Sequence, residues 1–296
     1  MKVEYINAKQ ILSKNPHPEN WFGVNFNINI YRGCQHGCIY CDSRSNCYQI
    51  ENFDSLIVKR NAPELLENIL LRKRRKVVIS TGSMSDPYIP AEKHILLTNK
   101  ILRLIIKYKF PFHIVTKSDL ILRDLDLLKE INKIFLSTCL TITTCNDQIA
   151  AILEPRAPTP TNRLKALEEL SRNGLYTGVL FQPILPFLLD TEENVKETIY
   201  NIAHCGGKFV IPWFAVTMRK GQKEYFLTKL GEKLPAIKAK YIQTFQYEST
   251  CQSPNAKELL RIFDQECEKH KLISKMHNVD NFHKQKKYEQ LTFNFT

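Results

Sequence analysis

Short apolar runs alternate with amphipathic stretches along most of the chain. Residues 24–30 alternate between apolar and polar side chains, which is typical of a strand. Further apolar runs predict strands at 77–79, 112–115, 134–143, 177–182 and from 209 onward. Between them, capping residues and apolar residues at helical spacing predict helices that begin near 61, 91, 119, 161 and 191. This repetition of strand and helix predicts an α/β fold with a parallel, barrel-like sheet.

The two ends of the chain have different patterns. Residues 1–23 predict an irregular lead-in, because Pro16 and Pro18 interrupt any helix. Residues 24–220 carry the repeats and form the expected core domain. Residues 221–296 predict a helical C-terminal extension that includes a basic tail at 269–287. The first residues lack a signal-peptide core and no apolar stretch is long enough to span a membrane, so we expect a cytoplasmic protein.

Three cysteines lie close together directly after the first predicted strand. Cys34, Cys38 and Cys41 have C-x3-C-x2-C spacing, with Gly33 and Gly37 beside them. Three thiolates on so short a loop can bind three irons of an iron-sulfur cubane and leave the fourth iron open. The carboxyl end of a parallel strand is also where active-site loops lie. A structural zinc site is the alternative, with Cys47 or His36 as fourth ligand; the odd cysteine count argues against a disulfide framework.

The C-x3-C-x2-C spacing, with Tyr40 before the last cysteine, resembles the signature of the radical SAM superfamily. Residues 29–45 are similar to the cluster loop of its spore photoproduct lyase-like group. Later segments are similar in the same way; they are 85–88, 116–118, 123–124, 154–158, 178–179 and 183–184.

The resemblance implies a partial (β/α)6 TIM-like barrel that holds a [4Fe-4S] cluster on Cys34, Cys38 and Cys41. S-adenosylmethionine would chelate the open iron, and one electron would cleave it to give a 5'-deoxyadenosyl radical. The electron would come from a donor such as flavodoxin or ferredoxin. The protein itself would position cofactor and substrate and exclude water.

Residues at predicted strand ends are candidates for binding this cofactor. Lys117 can pair with the methionyl carboxylate. Ser83 and Ser85 can hydrogen-bond near the amino group, and Tyr40 can lie against the adenine. The alternative for each is an ordinary loop or capping contact.

Four further residues complete the candidate cofactor site. Of Thr141 and Thr143, we expect at most one to reach the ribose. Glu154 and Arg156 flank Pro155 in a proline-rich loop. They either shape the cofactor or substrate pocket or form a salt bridge that pins the loop.

Two other cysteines are candidate hydrogen-atom donors. True spore photoproduct lyases use a cysteine after the second strand to return a hydrogen atom to the product radical, and Ser83 stands at that position here. Because a serine O–H bond is too strong for this step, the same reaction would require Cys47, Cys139, Cys145 or Cys251 to reach the site. Of these, we take Cys47 and Cys251 as the candidates. Either can instead be a buried structural cysteine.

The chain is basic, with a formal net charge of +12 and a pI near 9.2. Such a balance favours a polyanionic partner, and with the resemblance it predicts nucleic acid, DNA more than RNA. We therefore expect a radical SAM enzyme that acts on nucleic acid in a reaction similar to DNA lesion repair. The alternatives are RNA, a peptide or a small metabolite as substrate, and a non-catalytic, metal-stabilised nucleic-acid-binding module.

Overall fold

The computed structural model describes residues 3–50, 52–276 and 279. The strands of this part of the chain are β1 (Val3–Ile6), β2 (Leu12–Lys14), β3 (Val24–Ile28), β4 (Tyr31–Arg32), β5 (Leu56–Lys59), β6 (Val78–Thr81), β7 (Phe112–Thr116), β8 (Leu136–Thr141), β9 (Tyr176–Phe181), β10 (Phe209–Pro212), β11 (Ala215–Thr217) and β12 (Thr250–Gln252). The α-helices are α1 (Ala62–Arg72), α2 (Glu92–Ile95), α3 (Leu97–Lys107), α4 (Leu125–Asn132), α5 (Asp147–Leu153), α6 (Pro160–Arg172), α7 (Glu192–His204), α8 (Gln222–Lys233), α9 (Pro235–Phe245) and α10 (Ala256–Lys269).

A seven-stranded sheet with the order β10-β9-β8-β7-β6-β3-β2 organises the fold. Six of its strands are parallel neighbours, and β2 adds an antiparallel edge to β3. β8 and β9 are buried along their whole length, as central strands of a parallel sheet are, although β8 includes Ser137, Thr138 and Thr141. The parallel strands and their intervening helices confirm the predicted partial (β/α)6 barrel.

The lead-in differs from the irregular segment that we expected. β1 pairs in parallel with β5, and β5 pairs with β4, so that these three strands form a small second sheet. β2 pairs with β3. Pro16 and Pro18 interrupt only the connection between β2 and β3. The partners of β1 lie more than fifty residues away, so its pairing leaves little trace in the local sequence.

The helix expected to begin near residue 91 is broken at Leu96, which has a φ of 55°. The buried Glu92 carboxylate accepts hydrogen bonds from the N–H groups of Leu97 and Thr98, at 3.1 and 3.0 Å. It thereby caps α3, as an acidic side chain does at a helix start. The same carboxylate accepts a hydrogen bond from Tyr31, which precedes the cysteine loop. The Glu92 carboxylate at this break thus connects α3 to the cysteine loop.

The C-terminal extension is built onto the barrel. α10 packs against α7, and β12 pairs antiparallel with β11. Most of the basic tail predicted at 269–287 lies outside the described residues. Within the described residues, none of the helices combines the length and the apolar character needed to cross a bilayer.

Candidate active site

The loop that carries Cys34, Cys38 and Cys41 wraps closely against its neighbours at two glycines. Gly33 has a φ of 77°, and a Cβ there would collide with the Ser55 carbonyl oxygen. Gly37 has a φ of 70°, and a Cβ there would lie 2.6 Å from the Arg156 guanidinium. Both positions therefore require glycine. This close wrapping leaves the three cysteines on the inner side of the loop.

All three cysteines of the loop line a cavity of about 490 Å³, which we call the active-site cavity. It is bounded by residues at or just past the carboxyl ends of successive strands, including Gly82 to Asp86, Val115 to Lys117, Thr141 and Gln182. Its volume falls within the range of about 300–1,000 Å³ typical of small-molecule sites. Of the described cysteines, only these three line it. The predicted loop and the predicted strand ends thus meet at one place.

The donor set suits an iron-sulfur cluster. Burial raises the pKa of Cys34 to about 12, with Asp86 and Cys41 adding to the effect, and burial also raises the pKa of Cys38 and of Cys41. Without metal these thiols hold their protons, and a bound iron displaces them. Among the described residues, no three His, Cys, Asp or Glu side chains are arranged around a single ion. A cubane cluster requires a different arrangement, because each thiolate binds its own iron.

Asp86 connects the first half of the cysteine loop to the strand ends. Its carboxylate accepts hydrogen bonds from the Thr116 hydroxyl at 2.6 Å, the Lys117 N–H at 2.7 Å and the Tyr88 N–H at 2.8 Å. His36 Nε2 lies 3.2 Å from Asp86 Oδ2. Burial alone would raise the pKa of Asp86, but His36, the Thr116 hydroxyl and the Lys117 N–H lower it to about 2. Asp86 is therefore a carboxylate that holds the loops after β6 and β7 against the cysteine loop.

Glu154 holds the second half of the loop. The Tyr40 hydroxyl donates a hydrogen bond to it, and the buried Arg163 guanidinium forms an ion pair with it. The Lys117 ammonium lies 3.9 Å away. Burial would raise the pKa of Glu154, but Arg163 and Lys117 keep it below its usual range. Glu154 is thus an ionised, fully paired carboxylate beneath Tyr40.

Arg156 supports the loop from outside. Its Nε donates to the Gln35 carbonyl at 2.8 Å, and its guanidinium donates to Asp54 at 3.1 Å. Its backbone N–H donates to the His36 carbonyl at 3.1 Å. Neither Glu154 nor Arg156 lines the active-site cavity. Their contacts match the structural alternative, in which they pin the proline-rich loop against the cysteines.

The other cofactor candidates divide into two groups. Five of them line the cavity; they are Tyr40, Ser83, Ser85, Lys117 and Thr141. Ser85 donates to the Gly33 carbonyl at 2.6 Å, and Ser83 donates to Asn29 at 3.3 Å. Thr143 is buried away from the cavity. The expectation that at most one of Thr141 and Thr143 reaches the ribose stays a prediction, as do the other individual cofactor contacts.

Neither candidate hydrogen-atom donor lines the cavity. Cys47 is exposed, with its sulfur 3.9 Å from a nitrogen of Arg219. Cys251 is buried in β12 opposite Val216, and burial raises its pKa to about 12. Val216 lines the cavity, whereas Cys251, its neighbour on the adjacent strand, does not. The donor role of each cysteine stays a prediction.

Sequence reasoning missed several residues that line the cavity. The two tryptophans, Trp21 and Trp213, both do so, together with the amides of Asn15, Asn27 and Gln182. The buried Asn27 Oδ1 has no hydrogen-bond partner among the described residues. Trp213 directly follows β10, whose beginning at residue 209 was predicted, and this position at a strand end was the available signal for it. Asn27 could not be recognised from the sequence, because polar and apolar residues alternate in any strand that has one face outside the core.

Comparison with known proteins decides the family. Residues 28–199 match the family model described as the radical SAM superfamily, which covers more than half of the chain. This chain belongs to the radical SAM superfamily. A [4Fe-4S] cluster and S-adenosylmethionine are therefore its cofactors, and the zinc-bound and non-catalytic alternatives are set aside. The protein is a radical SAM enzyme that needs an electron donor.

Relatives agree with this assignment. The uncharacterized protein MJ0683 of Methanocaldococcus jannaschii is 38% identical over 201 residues, which are 67% of this chain and 74% of that protein. A radical SAM Nalpha-GlyT isomerase of Pseudomonas phage M6 is 24% identical over 181 residues, 61% of this chain and 37% of that protein. Spore photoproduct lyase complexed with dinucleoside spore photoproduct superposes with a TM-score of 0.65 at 15% identity, covering 90% of this chain and 79% of that chain. The last similarity concerns the fold.

The residues present fit both cofactors of the radical SAM family. Cys34, Cys38 and Cys41 would hold the cluster. When bound, the cluster supplies the electron that cleaves S-adenosylmethionine into methionine and a 5'-deoxyadenosyl radical. Lys117 offers a cation at the cavity wall with its side chain 16% exposed. Ser83 and Ser85 offer hydroxyl groups at the same wall.

Proposed function

We propose that this radical SAM enzyme acts on a base of nucleic acid, DNA more than RNA, in a reaction of the lesion-repair type. The observation that carries the proposal is the placement of both tryptophans, Trp21 and Trp213, in the wall of the active-site cavity. Enzymes that act on a base take it out of the stack and hold it between aromatic side chains. Trp213 is 38% exposed, so its indole offers a face to an incoming base.

The amides beside the tryptophans support a base as substrate. Asn15, Asn27 and Gln182 line the same cavity. Amide side chains present both donors and acceptors, as the Watson–Crick edge of a base requires. The buried Asn27 Oδ1 lacks a partner among the described residues, and a base amino group would provide one. An unpaired buried acceptor costs about 1–3 kcal/mol until such a donor arrives.

Charge and similarity support the same substrate class. The net charge of +12 favours a polyanion. The spore photoproduct lyase with the similar fold was solved with a dinucleoside. An electron donor such as flavodoxin or ferredoxin completes the proposed reaction.

The test uses protein reconstituted without oxygen, reduced with dithionite and given S-adenosylmethionine. Formation of 5'-deoxyadenosine is compared with and without single-stranded DNA, single-stranded RNA and peptide mixtures, and Cys38→Ala is the control for cluster loss. We expect DNA to stimulate product formation. Stimulation by RNA, a peptide or no polymer at all would overturn the assignment to DNA.

A matched pair of variants tests the tryptophan directly. Trp213→Ala is expected to weaken binding of single-stranded DNA about five- to hundred-fold, because stacking contributes about 1–3 kcal/mol per base. Trp213→Phe keeps an aromatic face and should retain most of the affinity. If both variants bind single-stranded DNA as tightly as the wild type, Trp213 does not stack on a base and the proposal loses its main support.

A further inference from the structure

A second cavity, of about 400 Å³, lies beside the active-site cavity. We call it the cationic cavity, because Lys9, Arg32 and Lys59 line it and no described Asp or Glu does. Amide side chains complete its polar wall; they belong to Asn7, Gln10 and Asn29.

The small sheet explains why two cations face this cavity. In the antiparallel register of β4 and β5, Tyr31 lies opposite Val58 and Arg32 opposite Ile57. Because side chains alternate along a strand, Tyr31 and Val58 share the face that is buried in the core. Arg32 and Lys59 share the other face as diagonal neighbours.

These cations are held together without an acid to neutralise them. In the part of the chain that the structure describes, none of Lys9, Arg32 and Lys59 forms a salt bridge. Arg32 donates to the Gln49 carbonyl at 3.0 Å. Burial and then the neighbouring Arg32 lower the pKa of Lys59, since both disfavour its charged form. An anion in the cavity would relieve the repulsion between the two cations.

The two cavities adjoin each other. Met84 lines both of them, and Ser83 of the active-site cavity donates to Asn29 of the cationic cavity at 3.3 Å. A ligand that has a base in one cavity can therefore place a neighbouring anionic group in the other. We propose that the cationic cavity binds backbone phosphates of the nucleic acid strand whose base enters the active-site cavity, an inference that rests on the proposed function. Phosphate contacts of this kind position a strand without reading its sequence.

The experiment measures binding of a short fluorescent single-stranded deoxyoligonucleotide to the full chain over a series of salt concentrations. Arg32→Gln and Lys59→Gln are compared with the wild type and with Lys165→Gln, which removes an equally charged, exposed side chain outside both cavities. Removal of one cation that binds a phosphate should reduce the slope of log affinity against log salt by about 0.7, and weaken binding about three- to ten-fold, whatever the sequence. Arg32→Lys should retain most of the slope. Iron content confirms that the cluster site survives in each variant.

The outcomes separate this inference from the proposed function. A reduced slope in Arg32→Gln and Lys59→Gln, with Lys165→Gln unchanged, supports the phosphate site. Equal slopes in all variants, while DNA still stimulates 5'-deoxyadenosine formation, overturn the site and leave the proposed function standing. No DNA binding by the wild type, with cation-dependent binding of inorganic tripolyphosphate, overturns nucleic acid as the source of the phosphate. Slower reduction by flavodoxin in the two variants, with normal DNA binding, assigns the cations to an acidic protein and also overturns the inference.

Discussion

Two buried carboxylates hold the cysteine loop in different ways. Asp86 meets the first half of the loop and accepts hydrogen bonds from a hydroxyl and two backbone N–H groups. Glu154 meets the second half and is paired with Arg163, which is itself fully buried. The first carboxylate is stabilised by His36 of the cysteine loop and by groups at the ends of the neighbouring strands. The second depends on a matching charge from a helix, so the loss of one partner leaves the other buried and unpaired.

The largest expected effect comes from breaking the Glu154 pair. Arg163→Met should lower the free energy of unfolding by about 3–5 kcal/mol, because it leaves an uncompensated carboxylate in the core. A urea titration measures this change.

The double variant Glu154→Gln with Arg163→Met is the matched control, and it should recover much of the stability that the single variant loses. If the double variant is as unstable as the single variant, poorer packing rather than an unpaired charge explains the effect.

The low pKa of Asp86 predicts that the free energy of unfolding depends on pH. The pKa of Asp86 is about 2 in the folded protein against an ordinary value of 3.8, so its stabilisation is complete above about pH 4. As the pH falls from 3.8 towards 2, the unfolded chain takes up the proton first and the stabilisation disappears. This contribution amounts to about 2 kcal/mol, since one pKa unit corresponds to about 1.4 kcal/mol. Urea titrations between about pH 5 and pH 2 measure it.

Asp86→Asn cannot titrate and should show a correspondingly weaker dependence over this range. If the stability of the wild type and of Asp86→Asn changes equally with pH, then His36 and the hydrogen-bond donors do not lower the pKa of Asp86.

Lys117 interacts with both carboxylates, since its backbone N–H donates to Asp86 and its ammonium lies near Glu154. Lys117→Gln removes the cation that we expect to pair with the methionyl carboxylate. Without this charge-assisted hydrogen bond, binding of S-adenosylmethionine should weaken about ten-fold. Anaerobic calorimetry on the reconstituted protein measures the affinity. Thr143→Val, at a buried position outside the cavity, should leave it unchanged, and an equal decrease in both variants would show a general defect.

The smallest effect is expected outside the cavity. Cys47→Ser and Cys251→Ala should leave the rate of 5'-deoxyadenosine formation unchanged, because neither sulfur lines the active-site cavity. Anaerobic product analysis by chromatography tests this. A variant that cleaves the cofactor normally but diverts the substrate radical to new products would instead identify its cysteine as the hydrogen-atom donor.

The barrel and the cluster loop could be predicted because their signals are local. Parallel strands buried on both faces appear as short apolar runs, and the three cysteine ligands lie within eight residues of one another. The supporting contacts could not be predicted in this way. The hydrogen bond from Thr116 to Asp86 joins residues thirty positions apart, and neither residue differs in the sequence from ordinary strand-end or loop residues. In the sequence, Arg163 resembles any polar residue of a helix, and only the folded structure places its side chain inward against Glu154.

The close packing of Gly37 against Arg156 restricts how these two positions can vary in evolution. A side chain at position 37 would occupy the space of the guanidinium, 2.6 Å from the site of its Cβ. Homologous sequences that carry a larger residue there should therefore also replace the arginine, while Arg44 still provides a partner for Asp54. Covariation between the two positions would record the fit between the cluster loop and the proline-rich loop across the family.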